Sequence, residues 1–97
     1  MLKETEMDKL AKMLTQANIP FVRRPTHWEG EQFVSPNEDN IIIDVICTKY
    51  SYGGDRGLLE VMWKPLEREC GDSCRGYLTA EQAFEYFVRA SETSNLF

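Results

Sequence analysis

Four residues suited to binding a phosphorylated ligand lie close together near position 25. Arg23 and Arg24 are adjacent, and His27 and Trp28 follow them. A guanidinium group binds phosphate through parallel hydrogen bonds, and an indole face stacks on a nucleobase. The segment therefore indicates a nucleotide site, although an edge strand with solvated arginines and a partly buried tryptophan fits the same residues.

A second candidate site is the glycine-rich segment 51–57, Ser-Tyr-Gly-Gly-Asp-Arg-Gly. Glycine permits positive φ angles and close approach of the backbone to a ligand, and successive N–H groups bind anions. The segment lacks the Gly-Lys-Ser/Thr of a P-loop, and a plain hairpin turn has the same composition. The predicted ligand-binding residues of the two segments are Arg23, Arg24, Trp28, Ser51, Tyr52, Gly53, Gly54 and Arg56.

Residues for catalysis or metal binding are sparse. His27 is the only histidine, and a nucleophilic cysteine needs a histidine and an orienting group beside it. The three cysteines are Cys47, Cys70 and Cys74. Only the last two are closely spaced, in a C-x3-C pair without a second pair to complete a zinc site. We expect no enzyme activity, no cofactor and no bound metal.

The composition limits the function classes further. The 97 residues, 42% of them hydrophobic, suffice for one globular domain, with 92–97 as a flexible tail. Eleven basic residues against sixteen acidic ones give a net charge of −5, which opposes non-specific nucleic acid binding. No apolar run approaches the length of a membrane span. The charged first residues and the odd cysteine count predict a cytoplasmic protein with reduced thiols.

The hydropathy pattern predicts an α+β fold. The expected elements are a helix over 3–17, strands over 21–24, 32–34, 41–50 and 58–63, an irregular stretch over 64–77 and a helix from 79 to about 91. Asn18 suits the left-handed position after the first helix, and Pro25 is expected to end the first strand. Thr79 and Gln82 form a capping box at the start of the last helix. Short connections favour an antiparallel meander. We therefore predict a two-layer sandwich, with about four strands flanked by N- and C-terminal helices.

The two long strands carry apolar residues on both faces. Their odd-numbered positions are almost wholly apolar and are assigned to the core. Asp44 and Glu60 are expected to face each other on the even-numbered side, where a solvated carboxylate pair is commoner than a catalytic one. The other residues predicted there are Ile42, Ile46, Tyr50, Leu58 and Met62. Such a surface, roughly 500 Å² of apolar area, indicates an interface, most simply of a homo-oligomer, unless a helix or the 64–77 stretch covers it.

Three motifs carry a resemblance to a known group of proteins. They are D-V-I-C at 44–47, S-Y-G at 51–53 and G-L-L-E at 57–60. Together with W-E-G-E-Q at 28–32 and L-T-A-E at 78–81, they resemble small uncharacterised proteins of phages and prophages of Firmicutes. The similarity spans roughly residues 9–88. Trp63 stands where the group tends to have glycine, and Cys70 and Cys74 are particular to this chain.

The resemblance implies a phage accessory protein that disarms a host defence. We expect a non-enzymatic counter-defence protein that sequesters a small nucleotide immune signal. The alternative is a protein-binding inhibitor of a host defence effector, of the anti-CRISPR type, which would act through the apolar outer sheet face. A small hydrolase or a zinc protein is a third hypothesis.

Overall fold

The first helix begins where side chains satisfy its free backbone groups. The computed structural model describes residues 3–27 and 29–97, and its helix α1 spans Glu6–Gln16. The Thr5 hydroxyl accepts the Asp8 N–H at 3.0 Å, and the Asp8 carboxylate accepts the Thr5 N–H at 3.2 Å. This reciprocal cap places the start at Glu6 rather than at the predicted residue 3. After the helix, Asn18 adopts a left-handed φ of 58°, as predicted.

Five strands form one antiparallel sheet in sequential order. The strands are β1 (Val22–Thr26), β2 (Gly30–Pro36), β3 (Ile41–Cys47), β4 (Leu59–Trp63) and β5 (Cys74–Leu78). A short helix, α2 (Leu66–Cys70), precedes β5, and α3 (Ala80–Thr93) follows it. The predicted α+β meander between two terminal helices is confirmed, with five strands instead of four.

The fifth strand and α2 occupy the stretch that was predicted to be irregular. β5 has no regular apolar alternation, because a bulge interrupts its pairing with β4. At the bulge, Gly76 and Tyr77 lie opposite the single residue Glu60. Tyr77 has a left-handed φ of 58°, which a bulky residue rarely adopts.

Among the strand boundaries that differ from the prediction, two have a clear local cause. β3 ends at Cys47 instead of Tyr50, because the Thr48 hydroxyl accepts the N–H groups of Tyr50 and Ser51 and starts a turn. β1 continues through Pro25, which was expected to end it. A proline is tolerated there because β1 is an edge strand and needs a partner on one side only.

The last helix is fixed at its N-terminus by two elements of the chain. The predicted capping box of Thr79 and Gln82 is confirmed. In addition, the Glu6 carboxylate on α1 accepts the Ala80 N–H at 2.8 Å, which ties the two terminal helices together. α3 extends to Thr93, and Phe97 packs against the core.

Both long helices cover the same face of the sheet, which we call the covered face. The core between these layers is apolar and fully enclosed. Its residues without solvent exposure include Leu10, Leu14, Phe33, Ile43, Val45, Leu59, Val61 and Phe87. The prediction that odd-numbered positions of β3 and β4 face the core is confirmed, except that Ile41 at the start of β3 is 44% exposed.

None of the helices in the described part of the chain is long and apolar enough to span a membrane.

Candidate binding surface

Within the described residues, no helix layer covers the opposite face of the sheet, and we call it the open face. Strand alternation and register decide which side chains lie there. They include Arg24, Gln32, Asp44, Ile46, Glu60, Met62 and Cys74. Asp44 lies opposite Met62, and Ile46 lies opposite Glu60. The expectation that the two carboxylates directly oppose each other is therefore wrong, and they lie diagonally across neighbouring strands.

Hydrogen bonds connect the polar side chains on β1, β2 and β3. Arg24 Nε donates to Gln32 Oε1 at 2.9 Å, and Gln32 Nε2 donates to Asp44 Oδ2 at 3.0 Å. Arg24 also donates to Glu38 Oε2 at 3.2 Å, from the turn after β2. We call these four residues the polar half of the open face. Burial raises the pKa of Asp44, and the nearby charge of Glu60 acts in the same direction.

Exposed apolar side chains concentrate on the other half, near β4 and β5. Met62 is 45% exposed, Tyr52 is 62% exposed and Tyr77 is 56% exposed. Tyr52 lies against Gly76 on β5, and Met62 pairs with Cys74, two residues before Gly76. We call these three residues, Tyr52, Met62 and Tyr77, the aromatic surface, after its two tyrosines.

The backbone of Tyr52 is held by β4 and β5. Its N–H donates to Glu60 Oε1 at 2.8 Å, and its carbonyl oxygen accepts the Tyr77 N–H at 3.0 Å. Glu60 is only 8% exposed. Sequence analysis predicts Tyr52 as a ligand-binding residue. It does not predict Glu60 and Tyr77 as the hydrogen-bond partners of Tyr52, because these contacts depend on the bulge.

The two adjacent arginines do not share a site. Arg23 lies on the covered side, where its guanidinium pairs with Glu31 and, at 2.9 Å, with Asp8 of α1. These carboxylates, Glu31 first, raise the pKa of Arg23. Arg24 lies on the open face in the polar half. Each guanidinium is thus already paired with a carboxylate, and Trp28, predicted to stack on a base, lies outside the described residues.

The glycine-rich segment uses its own amide groups. Gly53 has a φ of 95°, and a short 3₁₀ helix follows over Gly54–Arg56. The N–H groups of Gly54, Arg56 and Gly57 donate to carbonyl oxygens within the segment. Ser51 is hydrogen-bonded to Thr48. These amides are therefore engaged in the turn instead of pointing together toward a ligand.

The residues predicted for an apolar interface are distributed over three environments. Ile46 and Met62 lie on the open face. Ile42 packs against the core, next to the bulge at the start of β3. Tyr50 lies in the loop after β3 and is 67% exposed, and the half-buried Leu58 precedes β4. The structure brings Ile46 and Met62 onto one face, and the other three do not extend it as a flat patch.

Two of the three thiols, those of Cys47 and Cys74, are in environments that disfavour the thiolate. Burial, followed by the charge of Glu31, raises the pKa of Cys47, which packs against the core as predicted. Burial and then Glu60 raise the pKa of Cys74. Cys70 is exposed at the end of α2. Within residues 3–27 and 29–97, no three histidine, cysteine or acidic side chains form a group that could hold a metal ion.

Comparison of the chain with protein-family models, with curated proteins and with solved structures gave no match.

Proposed function

We propose that the protein is a non-enzymatic binding protein that holds a protein partner through the aromatic surface of the open face. The observation behind this proposal is the exposure of Tyr52, Met62 and Tyr77, which the pairing of β4 with β5 and the hydrogen bond between Tyr52 and Tyr77 bring to one region of a sheet that the described helices cover on one side. Tyrosine and methionine are enriched at protein interfaces, and tyrosine often dominates their binding energy.

The chemistry around the surface favours a protein over a nucleotide. A phosphate group needs free guanidinium or backbone N–H donors. Arg23 and Arg24 are paired with carboxylates, and the amides of Gly54, Arg56 and Gly57 donate within the loop. Sequestration of a nucleotide signal is therefore the alternative hypothesis for the test below.

The charges beside the aromatic surface favour a partner with a basic rim. Among the described strand residues of the open face, Arg24 is the one cation, and the carboxylates there are those of Asp44, Glu60 and, from the turn after β2, Glu38. A second copy of the chain docked on the same face would bring like charges together, whereas lysines or arginines would complement them. We infer a partner whose contact surface is apolar at its centre and basic at its edge.

The resemblance to phage and prophage proteins supports a host protein as this partner. A binding protein that occupies a functional surface of a host defence effector acts as an inhibitor without any catalytic group. The raised pKa values of Cys47 and Cys74 argue against these two thiols as nucleophiles, because the thiolate is the nucleophilic form of cysteine.

A pair of matched variants tests the proposal. Met62→Asp places a charge in the aromatic surface, and Ile41→Asp introduces the same charge at a residue of nearly equal exposure, 44% against 45%, at the start of β3 and outside the aromatic surface. The partner is captured with the wild-type protein, identified and purified, and its affinity is measured by calorimetry. We expect Met62→Asp to weaken binding about 30-fold and Ile41→Asp to leave it unchanged.

Two further measurements separate the alternatives. Calorimetry with a panel of cyclic and linear nucleotides should show no binding, and tight binding of any of them that Met62→Asp leaves intact contradicts the proposal. Light scattering should show a monomer. A dimer that Met62→Asp dissociates would assign the aromatic surface to a second copy of the chain and would overturn the heterologous partner.

A further inference from the structure

Glu60 is a buried carboxylate in a place where burial is costly. It is 8% exposed and lies on the open face, beside Cys74 and diagonally from Asp44. The like charges of Asp44 and Glu60 repel each other. A carboxylate removed from water destabilises the fold unless hydrogen bonds replace its hydration. The Tyr52 N–H, at 2.8 Å, provides such a bond.

Gly76 lies directly under Tyr52. A Cβ atom built on Gly76 would collide with the Cβ of Tyr52 and would come within 3.0 Å of the Tyr52 carbonyl oxygen. Glycine weakens a strand, and it often marks a place where another part of the chain approaches the backbone closely. Here the approaching segment is the loop that carries Tyr52.

Tyr77 holds the other side of the same residue. The bulge sets Gly76 and Tyr77 against Glu60 alone, and Tyr77 has the left-handed φ of 58°. In this position its N–H donates to the Tyr52 carbonyl oxygen at 3.0 Å. A tyrosine in this conformation is strained, and such strain persists only where the surrounding structure holds it.

We propose that Glu60, Gly76 and Tyr77 form a clamp that fixes Tyr52 as the anchoring side chain of the aromatic surface. This inference rests on the function proposed above. A buried carboxylate, a strand glycine and a left-handed tyrosine, each unfavourable in itself, converge on one residue whose side chain is 62% exposed. A side chain that is already ordered before binding loses less conformational entropy on contact with a partner.

Glu60 is a positioning residue in this proposal, and two substitutions distinguish its role as a hydrogen-bond acceptor from the effect of its charge. Glu60→Gln keeps an oxygen that accepts the Tyr52 N–H. Glu60→Ala removes the acceptor. The two variants therefore differ in the clamp, and a role limited to the charge of Glu60 would affect both alike.

The first measurement is amide hydrogen exchange at residue 52, followed by NMR, and it needs no partner. In the wild-type protein we expect the Tyr52 N–H to exchange about 100-fold more slowly than in an unstructured peptide. Glu60→Ala should remove this protection, and Glu60→Gln should retain most of it. Exchange of the wild-type Tyr52 amide at the unstructured rate, or equal protection in Glu60→Ala, overturns the clamp.

The second measurement is the affinity for the purified partner. We expect Tyr52→Ala to weaken binding at least 10-fold while its own backbone amide stays protected, and Glu60→Ala to weaken binding where Glu60→Gln does not. If Glu60→Ala does not fold, Gly76→Ala provides the same test, because its methyl group must displace Tyr52 while the acceptor remains.

The affinities of the variants distinguish failure of the anchoring role of Tyr52 from failure of the proposed function. Full affinity in Tyr52→Ala, with Met62→Asp still disruptive, overturns the anchoring role and leaves the proposed function intact. Full affinity in Met62→Asp overturns the proposed function, whatever the exchange data show for the clamp.

Discussion

The two faces of the sheet are built from alternate residues of the same strands, yet they differ in how they are completed. On the covered face, α1 and α3 enclose Phe33, Val45 and Val61 completely. On the open face, polar side chains pair with one another, and the apolar side chains beside β4 and β5 stay exposed. In the described part of the chain, helices complete only the covered face, and this difference is the basis for proposing the open face as the partner-binding surface.

Arg23 and Arg24 show the same difference at the level of single residues. Arg23 joins β1 to α1 through Asp8, so its ion pairs hold the two layers together. Arg24 reaches Gln32 and Glu38, so its contacts organise a surface. Neighbouring residues of one type thus have different roles, because a strand sends their side chains to opposite faces.

The largest expected contrast between the faces is in stability. Phe33 is fully buried, with the Phe21 ring 5.0 Å away between centroids. Phe33→Ala should lower the free energy of unfolding by about 3–5 kcal/mol, because it leaves a cavity. Met62→Ala on the open face should change it by about 0.5 kcal/mol or less. Urea denaturation of both variants checks this, and comparable losses would show that the open face also supports the fold.

A smaller effect concerns Asp44 on the open face. Burial raises its pKa in the folded protein, so ionised Asp44 lowers stability above that pKa, and the cost disappears as the pH falls through it. Asp44→Asn, which still accepts from Gln32, should therefore raise the midpoint of thermal unfolding at pH 7, with the gain vanishing in acid. Asp39→Asn, in an exposed turn, is the control and should have no effect. A loss of stability in Asp44→Asn at pH 7 would contradict this account.

The smallest effect, with the opposite sign, is expected for Asp8 beside the covered face. The Arg23 guanidinium and then the Thr5 N–H lower the pKa of Asp8. A lowered pKa contributes stability above the unfolded value, and this contribution is lost as the pH falls through the folded pKa. Asp8→Asn should therefore destabilise the protein at pH 7 by less than about 1 kcal/mol, since the pair is well solvated. The difference from wild type should vanish in acid. Urea midpoints measured across the pH range check this, and an offset that stays constant with pH would contradict it.

Local signals in the sequence were sufficient for most of the fold. The capping box at Thr79, the left-handed Asn18 and the apolar alternation of β3 and β4 each depend on neighbouring residues, and each is confirmed. The sequence does not predict β5, because the bulge breaks the apolar alternation of this strand and places Tyr77 in a backbone conformation that local sequence does not indicate. The prediction that Pro25 ends β1 is wrong because a proline is tolerated in an edge strand, and the position of β1 at the edge is a property of the whole sheet.

The candidate surface could be predicted only in part. Strand alternation predicts that Met62 and Ile46 lie on the open face, and the glycine-rich segment indicates Tyr52 as a candidate binding residue. The partners of Arg23 and Arg24 could not be predicted, because Asp8, Glu31 and Glu38 approach them only after the strands and α1 pack. The register that separates Asp44 from Glu60 depends on the length and bonding of the loop between β3 and β4, which the spacing of residues does not specify.

The edges of the sheet have a consequence for the behaviour of the protein at high concentration. β1 contains Pro25, which offers no N–H group, and β5 is broken by the bulge at Gly76 and Tyr77. Growth of a cross-β fibril requires an edge with a regular ladder of donors and acceptors. Both borders of this sheet depart from such a ladder, so we expect the folded chain to template its own aggregation poorly, although the described helices leave one face of the sheet uncovered.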